Sequence, residues 1–348
     1  MKTIQIIVII LVASMCIRCN NDDNANTMVP ETKIIDGSWE HTNGIILDGS
    51  IKFITIDKEN GVLTMLFENE LGFKGIEQFD VTINENSINF LTPTEISEFG
   101  YVLDQNELKI TLRGNTATFK RLDIDLNLDN WVKPLTILQN AAVPFKDIDI
   151  TFDGTSILGY SEEDSSILKI NPETLAITST MATTLAPKVV EIEKSDTNPL
   201  LFQAGTEANT FRASFYSTGE TFYTSIDIGG SITGLASEKP GYIWVATDNN
   251  DYISRYKSNG SLNPGEILQQ IDLRFNPVNG LDFQGGYLYI ADGQYLYKCQ
   301  ITPEFKAIET YKISGYSMKG VAFDGTNFWL NTQGEDNAFY LLKSNLTL

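Results

Sequence analysis

The last two thirds of the chain repeat a block of about forty-three residues, and no other feature restricts its possible folds as tightly. The clearest copies read Asp149-Ile-Thr-Phe-Asp-Gly-Thr155, Gly234-Leu-Ala-Ser237, Gly280-Leu-Asp-Phe283 and Gly320-Val-Ala-Phe-Asp-Gly-Thr326. Each runs into a short apolar strand: Ile157–Tyr160, Tyr242–Val245, Tyr287–Ile290 and Asn327–Leu330. Third strands follow at Ile167–Ile170, Tyr252–Tyr256 and Phe339–Leu342. A more degenerate copy comes second, as Val189–Glu193, Leu200–Gln203, Phe211–Phe215 and Thr221–Thr224. Such a unit cannot bury its apolar faces alone, but copies stacked around an axis can, so the period predicts a β-propeller. Residues 135 to 348 hold five units on a direct count, and six would need a further, unrecognised blade. The last unit stops after its third strand. Leu135-Thr-Ile-Leu138 is the candidate outer strand that zips the first and last blades together and removes the open edges.

Residues 34 to 122 read as an antiparallel meander of about eight short strands. Alternation is plain in Phe79–Asn84 and Leu108–Arg113, with turn signals at Glu59-Asn-Gly61, Asn84-Glu-Asn86, Gln105-Asn106 and Arg113-Gly-Asn115. No convincing helical period occurs anywhere, so the fold class is all-β. The opening Gly37-Ser38-Trp39 resembles the Gly-x-Trp of lipocalins. That resemblance implies a small barrel with Trp39 at its floor beneath an arginine of the last strand, Arg121 or Arg113. Residues 123 to 134 form a polar connector ending at Trp131 and Pro134. The repeat itself resembles NHL and YVTN-type propellers over residues 135 to 348. Such folds carry enzymes, binding scaffolds and proteins of other roles, so the resemblance implies architecture and not activity.

The N-terminus reads as an export signal. Lys2 precedes an apolar run from Ile4 to Met15, broken only by Gln5, Ala13 and Ser14, which is too short for a stable membrane anchor. Cys16 and Cys19 close it, and Asn20-Asn-Asp-Asp23 follows. The arrangement resembles a bacterial lipoprotein signal, which implies lipidation of Cys19. Arg18 departs from the usual small residue and leaves Cys16 as the alternative. The expected organisation is a signal over 1–19, a flexible tether over 20–33, and a lipid anchor to the outer membrane, on its periplasmic or cell-surface face. A plain secretory signal is the other reading. Beyond these two, only Cys299 remains, so no disulfide forms within the folded part. Its strand pattern, Tyr295-Leu-Tyr-Lys-Cys299, reads as buried.

Acidic residues outnumber basic ones, 45 to 25, which disfavours nucleic acid as a partner. His41 is the only histidine and lies in the small domain, which excludes a Ser-His-Asp triad or a Cys/His zinc site from the propeller. Aligned copies put Asp149, Glu191, Gly234, Gly280 and Gly320 in one column on the strands nearest the axis. Carboxylates facing each other there need a proton, a cation or water between them. Asp149 and Glu191 are therefore candidate catalytic acids. With Asn279 and Asp282 they are candidate ligands of a divalent cation such as calcium, and Lys319 adds to the mouth. A merely hydrated channel is the bland alternative.

A second acidic set lies in loops between second and third strands: Glu162, Glu163 and Asp164, then Glu207, Asp248 and Asp251, Asp292, and Glu335 with Asp336. These are expected to form a negative rim around the channel entrance, suited to cations, amines or a basic protein patch. None follows the spacing of a calcium loop. The aromatic column Phe202, Trp244, Tyr289 and Trp329 reads as packing between blades. The leading functional expectation is an exported lipoprotein whose propeller binds a small molecule, glycan or protein through this acidic face. The alternative is a carboxylate- or metal-dependent hydrolase working in the channel, as in propeller lactonases or five-bladed glycosidases. A purely structural subunit of a surface assembly is the third.

Overall fold

The computed structural model describes residues 34–45, 50–91, 96–195, 197–205, 211–224, 230–248, 252–257, 266–273 and 278–348. The signal and tether, with Cys16 and Cys19, and the rim residues Glu207 and Asp251 lie outside the described residues. Eight strands come first: β1 (Gly37–Gly44), β2 (Ile51–Asp57), β3 (Val62–Glu68), β4 (Lys74–Ile83), β5 (Ser87–Leu91), β6 (Ile96–Asp104), β7 (Glu107–Leu112) and β8 (Asn115–Arg121). They pair in chain order, and β8 returns to β1 to close a barrel. Alternation sends Ile54, Leu63, Ile88, Leu108 and Phe119 to the interior. The closing register sets Arg121 opposite Trp39. Its guanidinium lies 5.2 Å from the indole centroid, while the buried indole N–H donates to the Ile35 carbonyl at 3.0 Å. Arg113 sits instead in the turn between β7 and β8, at positive φ.

The connector departs from the expectation of a helix-free chain. It contains a single-turn helix α1 (Leu128–Trp131), whose N-cap Asn127 accepts from the Asp129 N–H at 3.0 Å. Two strands follow, β9 (Lys133–Pro134) and β10 (Ile137–Ala142).

The repeats then form five sheets. Blade 1 holds β11 (Thr151–Phe152), β12 (Ile157–Ser161), β13 (Ser166–Ile170) and β14 (Ile177–Ala182). Blade 2 holds β15 (Pro187–Ile192), β16 (Leu200–Gly205), β17 (Phe211–Phe215) and β18 (Thr221–Thr224). Blade 3 holds β19 (Ile232–Lys239), β20 (Tyr242–Thr247), β21 (Tyr252–Lys257) and β22 (Glu266–Asp272). Blade 4 holds β23 (Gly280–Gln284), β24 (Tyr287–Asp292), β25 (Tyr295–Gln300) and β26 (Lys306–Lys312). Blade 5 holds β27 (Tyr316–Phe323), β28 (Phe328–Gly334) and β29 (Phe339–Ser344), and its outer strand is β10 from the other end of the propeller. The zipping strand falls slightly after the expected Leu135–Leu138. Residues just before it are already used: β9 adds in parallel to β26, and the Leu135 N–H donates to the Lys312 carbonyl at 2.8 Å.

Each aromatic of the repeated column lies between its own blade and the next. Phe202 shares a core cluster with Leu235 and Val245, Trp244 with Leu281 and Ile290, Tyr289 with Val321 and Phe328, and Trp329 with Ile150 and Ile157. Ile35–Leu348 form one compact unit, because the barrel leans on blade 4. The turn after β3 places Phe73 in the core cluster that also holds Ile253 and Ile271 of blade 3, with its ring against those of Tyr297 and Phe305 of blade 4. Its ring meets Tyr297 edge-on at 4.7 Å. Around it, the Ala307 N–H donates to the Leu71 carbonyl at 2.8 Å, and the Tyr295 hydroxyl donates to the Ile76 carbonyl at 2.8 Å. Removing the Phe73 ring deletes the apolar plug of this junction. Phe73→Ala is expected to destabilise the chain by about 3–5 kcal/mol, measured by chemical denaturation, though Phe73 belongs to no blade.

Candidate functional site: a carboxylate-floored cavity at the propeller axis

Strand pairing separates the two acids that residue counting had aligned. Asp149 forms a parallel bridge with Val189, not with Glu191. On the second strands, Val189, Gly234 and Gly280 face Ala204, Ala246 and Ala291, which makes Val189 the blade 2 member of the glycine column. Glu191 faces Phe202 and Asp282 faces Tyr289, one aromatic-column level further along. The acid that shares the level of Glu191 is therefore Asp282.

At its own level Asp149 is a structural clamp. Its carboxylate accepts the N–H groups of Ile150 at 3.0 Å, Leu281 at 3.0 Å and Val321 at 3.1 Å. The last two belong to the inner strands of blades 4 and 5, whose inward N–H groups would otherwise be orphaned. Gly280 and Gly320 make the approach possible. A Cβ on Gly280 would stand 2.6 Å from an Asp149 carboxylate oxygen and 2.7 Å from the Gly320 Cα, and one on Gly320 would stand 2.6 Å from the Ile148 carbonyl. Burial raises the Asp149 pKa well above the usual carboxylate range, against those three donors and with a further push from Glu191. With both oxygens engaged, Asp149 offers little to a ligand.

Past this crowded level, toward the ends of the inner strands, lies a cavity of about 340 Å³. Thr151, Phe152, Glu191, Lys194, Asp282, Gln284 and Phe323 line it. Glu191 and Asp282 are only 4% and 5% exposed. Glu191 accepts the Ser237 N–H of blade 3 at 2.7 Å. Burial, then the Asp282 charge, push its pKa up to about 8, against the Lys194 ammonium, the Ser237 N–H and the Thr151 hydroxyl. Asp282 accepts the Gln284 amide at 3.1 Å and lies 3.6 Å from the Lys194 ammonium. Burial raises its pKa too, against Lys194. Lys194 reaches across from blade 2 and also donates to the Phe283 carbonyl. Two further acids line the wall: Asp153 accepts from Thr155, Ser156, Tyr216 and Lys169, and the bonds from Tyr216, Thr155 and Ser156 hold its pKa low despite burial, while Glu193 accepts the Gly241 N–H at 3.1 Å.

The acidic rim does not surround this cavity. Second strands run antiparallel to the inner ones, so the loops that follow them lie at the opposite face, beside the starts of the inner strands. Most described rim acids serve local turns. Glu162 pairs with Lys146 at 2.5 Å in solvent. Asp164 accepts the Ser161 hydroxyl, Asp248 the Ser231 N–H, and Asp336 the Ala338 N–H and the Tyr340 hydroxyl. Glu163 and Glu335 are exposed. Asp292 is the least solvated, and burial pushes its pKa up to about 6. Asn279 donates to the Met318 carbonyl at 3.1 Å and Lys319 pairs with Asp147 at 2.8 Å, so neither joins the cavity. Among the described residues, no group of three or more His, Cys, Asp or Glu is placed to hold a metal ion. His41 stays in the barrel, with Nε2 3.0 Å from the Gly44 carbonyl. Lys194 and Gln284 carry no repeat signal and were not expected. The alanines Ala204, Ala246 and Ala291 are the signal that would have corrected the register.

No protein-family model matches the sequence, and no curated protein matches it. Among solved structures, the chain is similar to the glutaminyl cyclase of Myxococcus xanthus, at 10% identity and a TM-score of 0.45, covering 62% of this chain and 99% of that one. It is similar to a PQQ-bound aldose sugar dehydrogenase from Streptomyces coelicolor at 11% identity and a TM-score of 0.40, over 60% of this chain and 97% of that one. A catalytically inactive virginiamycin B lyase from Staphylococcus aureus with quinupristin matches at 14% identity and a TM-score of 0.36, over 88% and 94%. At these scores the likenesses carry no argument about chemistry, and the propeller rests on its own strand pairing.

Two expectations follow from the axis. Asp149→Asn would set an amide N–H₂ among backbone donors and is expected to cost about 1–3 kcal/mol in denaturant unfolding. Glu191 has its folded pKa raised from 4.5 to about 8, so the folded state holds the proton more tightly than the unfolded one. The associated stability is fully present below the unfolded value and is lost as pH rises toward about 8. Melting curves across that window should therefore fall less steeply for Glu191→Gln than for the unaltered chain.

Proposed function

We propose that this chain is an exported binding protein whose propeller takes a small polar ligand in the cavity floored by Glu191 and Asp282. One observation carries the reading. Two carboxylates are withdrawn from water at the base of a 340 Å³ cavity, while the acids of the opposite rim are mostly turn caps or solvated. Burying charge without a ligand to meet it is costly, and binding sites are where that cost is offset by function. The size lies within the range of about 300–1,000 Å³ common for small-molecule pockets. Export and a lipid anchor on Cys19 or Cys16 are supported by Lys2, the apolar run from Ile4 to Met15 and the Asn/Asp tether. The barrel, whose Gly-x-Trp and arginine resemble a lipocalin floor, then serves as spacer or accessory module. A divalent cation such as calcium in the cavity has less support, since two carboxylates beside an ammonium make a weak site.

A second reading is acid–base hydrolysis. It is favoured by the unequal environments of the pair: Glu191 holds a proton near neutral pH, whereas Asp282 has Lys194 beside it to favour its ionised form. In that reading Glu191 is the acid and Asp282 the base, in place of the Asp149 and Glu191 pairing that residue counting suggested.

The test is ligand-observed NMR of the full chain against a mixed set of amines, polyols and carboxylates. Binders should lose contact with Glu191→Gln and with Asp282→Asn, while Glu162→Gln and Asp336→Asn leave them unaffected. The opposite pattern would move the site to the rim and sink the cavity reading. Release of a hydrolysed product on prolonged incubation would favour the second reading.

A further inference from the structure

We propose that the cavity takes an organic cation, an ammonium or guanidinium group on a compact apolar body, in exchange for a proton. This rests on the reading of the cavity as a ligand site. Glu191 and Asp282 bring two buried carboxylates to the floor, Glu193 at the wall is a third, half-buried and accepting the Gly241 N–H, and Lys194 brings the one ammonium among the lining residues, 3.6 Å from Asp282. The groups behind them add no positive charge. Asp149, one level away, is another carboxylate and is saturated by backbone N–H groups, and Tyr289, which faces Asp282, is a neutral phenol. Lys169, the next cation, is committed to Asp153 and Tyr216. One negative charge is thus left uncompensated away from water, so the floor must hold either a proton or a cation.

The walls narrow the choice to an organic cation. Phe152, Phe323 and Pro199 are among the lining residues. Aromatic rings attract cations, and these three residues give a carbon body behind the charge something to pack against. Lys194 already shows the preference, lying 5.7 Å from the Phe283 ring centroid while it pairs with Asp282. A metal ion would find two carboxylates and a repelling ammonium. A neutral ligand would leave the proton in place, and an anion would add to the imbalance.

The exchange has a defined sign. The incoming cation stabilises the ionised form of the pair, so the proton held by Glu191 leaves on binding. The raised Glu191 pKa agrees with a proton resident there at neutral pH. Affinity should then rise about tenfold per pH unit below the pKa of the pair and level off above about pH 8.

Isothermal titration of the full chain with benzylammonium, benzyl alcohol and benzoate tests this, in buffers of differing ionisation enthalpy near neutral pH. Benzylammonium is expected to bind with release of close to one proton, tighter as pH rises, and benzyl alcohol and benzoate to bind at least about tenfold more weakly. Glu191→Gln, which imitates the protonated acid and should fold, is expected to lose the proton release and at least about tenfold in affinity. Equal binding of benzyl alcohol, or benzylammonium binding without proton release, would overturn the inference. If that neutral binding still vanishes in Glu191→Gln, the cavity remains the ligand site and only the cation is wrong. If none of the three probes binds and the NMR set leaves the cavity untouched, both readings fall together.

Discussion

The propeller depends on one carboxylate at its axis. The Asp149 side chain receives inner-strand N–H groups from blades 4 and 5, and its backbone bridges to blade 2 at Val189, so a single residue ties most of the ring. A five-bladed ring leaves little room at the centre, and Gly280 and Gly320 give up their Cβ atoms to admit it. Inner-strand donors that would lie unpaired in a dry core find an acceptor instead. The two ends of the propeller add a second closure. Strand β10 completes the sheet of blade 5, and the edge that would have been left open there is covered.

That clamp also shapes the chemistry. Because Asp149 and the glycines fill the axis at one level, the usable space lies past them, where Glu191 and Asp282 meet across the ring. The carboxylate that looks most exceptional in the repeat is therefore the least available. Burial raises the pKa of both acids beyond it, and the Asp282 charge adds to the rise at Glu191. The barrel takes no share in this cavity, but its Phe73 plugs the junction with the propeller against Tyr297 and Phe305 of blade 4.

Much of the fold is legible in the sequence. Strand units such as Leu200–Gln203 and Phe211–Phe215 stand within a residue or two of β16 and β17, because alternation and turn residues are local properties. Cys299 is fully buried, as its pattern implied. The candidate site was legible only in part. Glu191 and Asp282 were both singled out, but counting along the chain matched Glu191 to Asp149. A shift of two residues keeps a strand side chain on the same face, so periodicity does not reveal the error, yet it moves the residue by about 7 Å along the axis. The face of the cavity was also misjudged, since the conspicuous acids crowd the loops at the other end.

Taken alone, the sequence determined the all-β class, the barrel followed by repeated blades, the single zipping strand and the supply of carboxylates near the axis. These follow from period, turn chemistry and composition, which act between neighbours in the chain. Only the tertiary structure decided which carboxylates face each other, which is consumed as a clamp, and that Lys194 and Gln284 join the pair. Those outcomes depend on hydrogen-bond register between strands and on the reach of side chains between blades far apart in sequence. Distances of that kind exist only once the ring has closed.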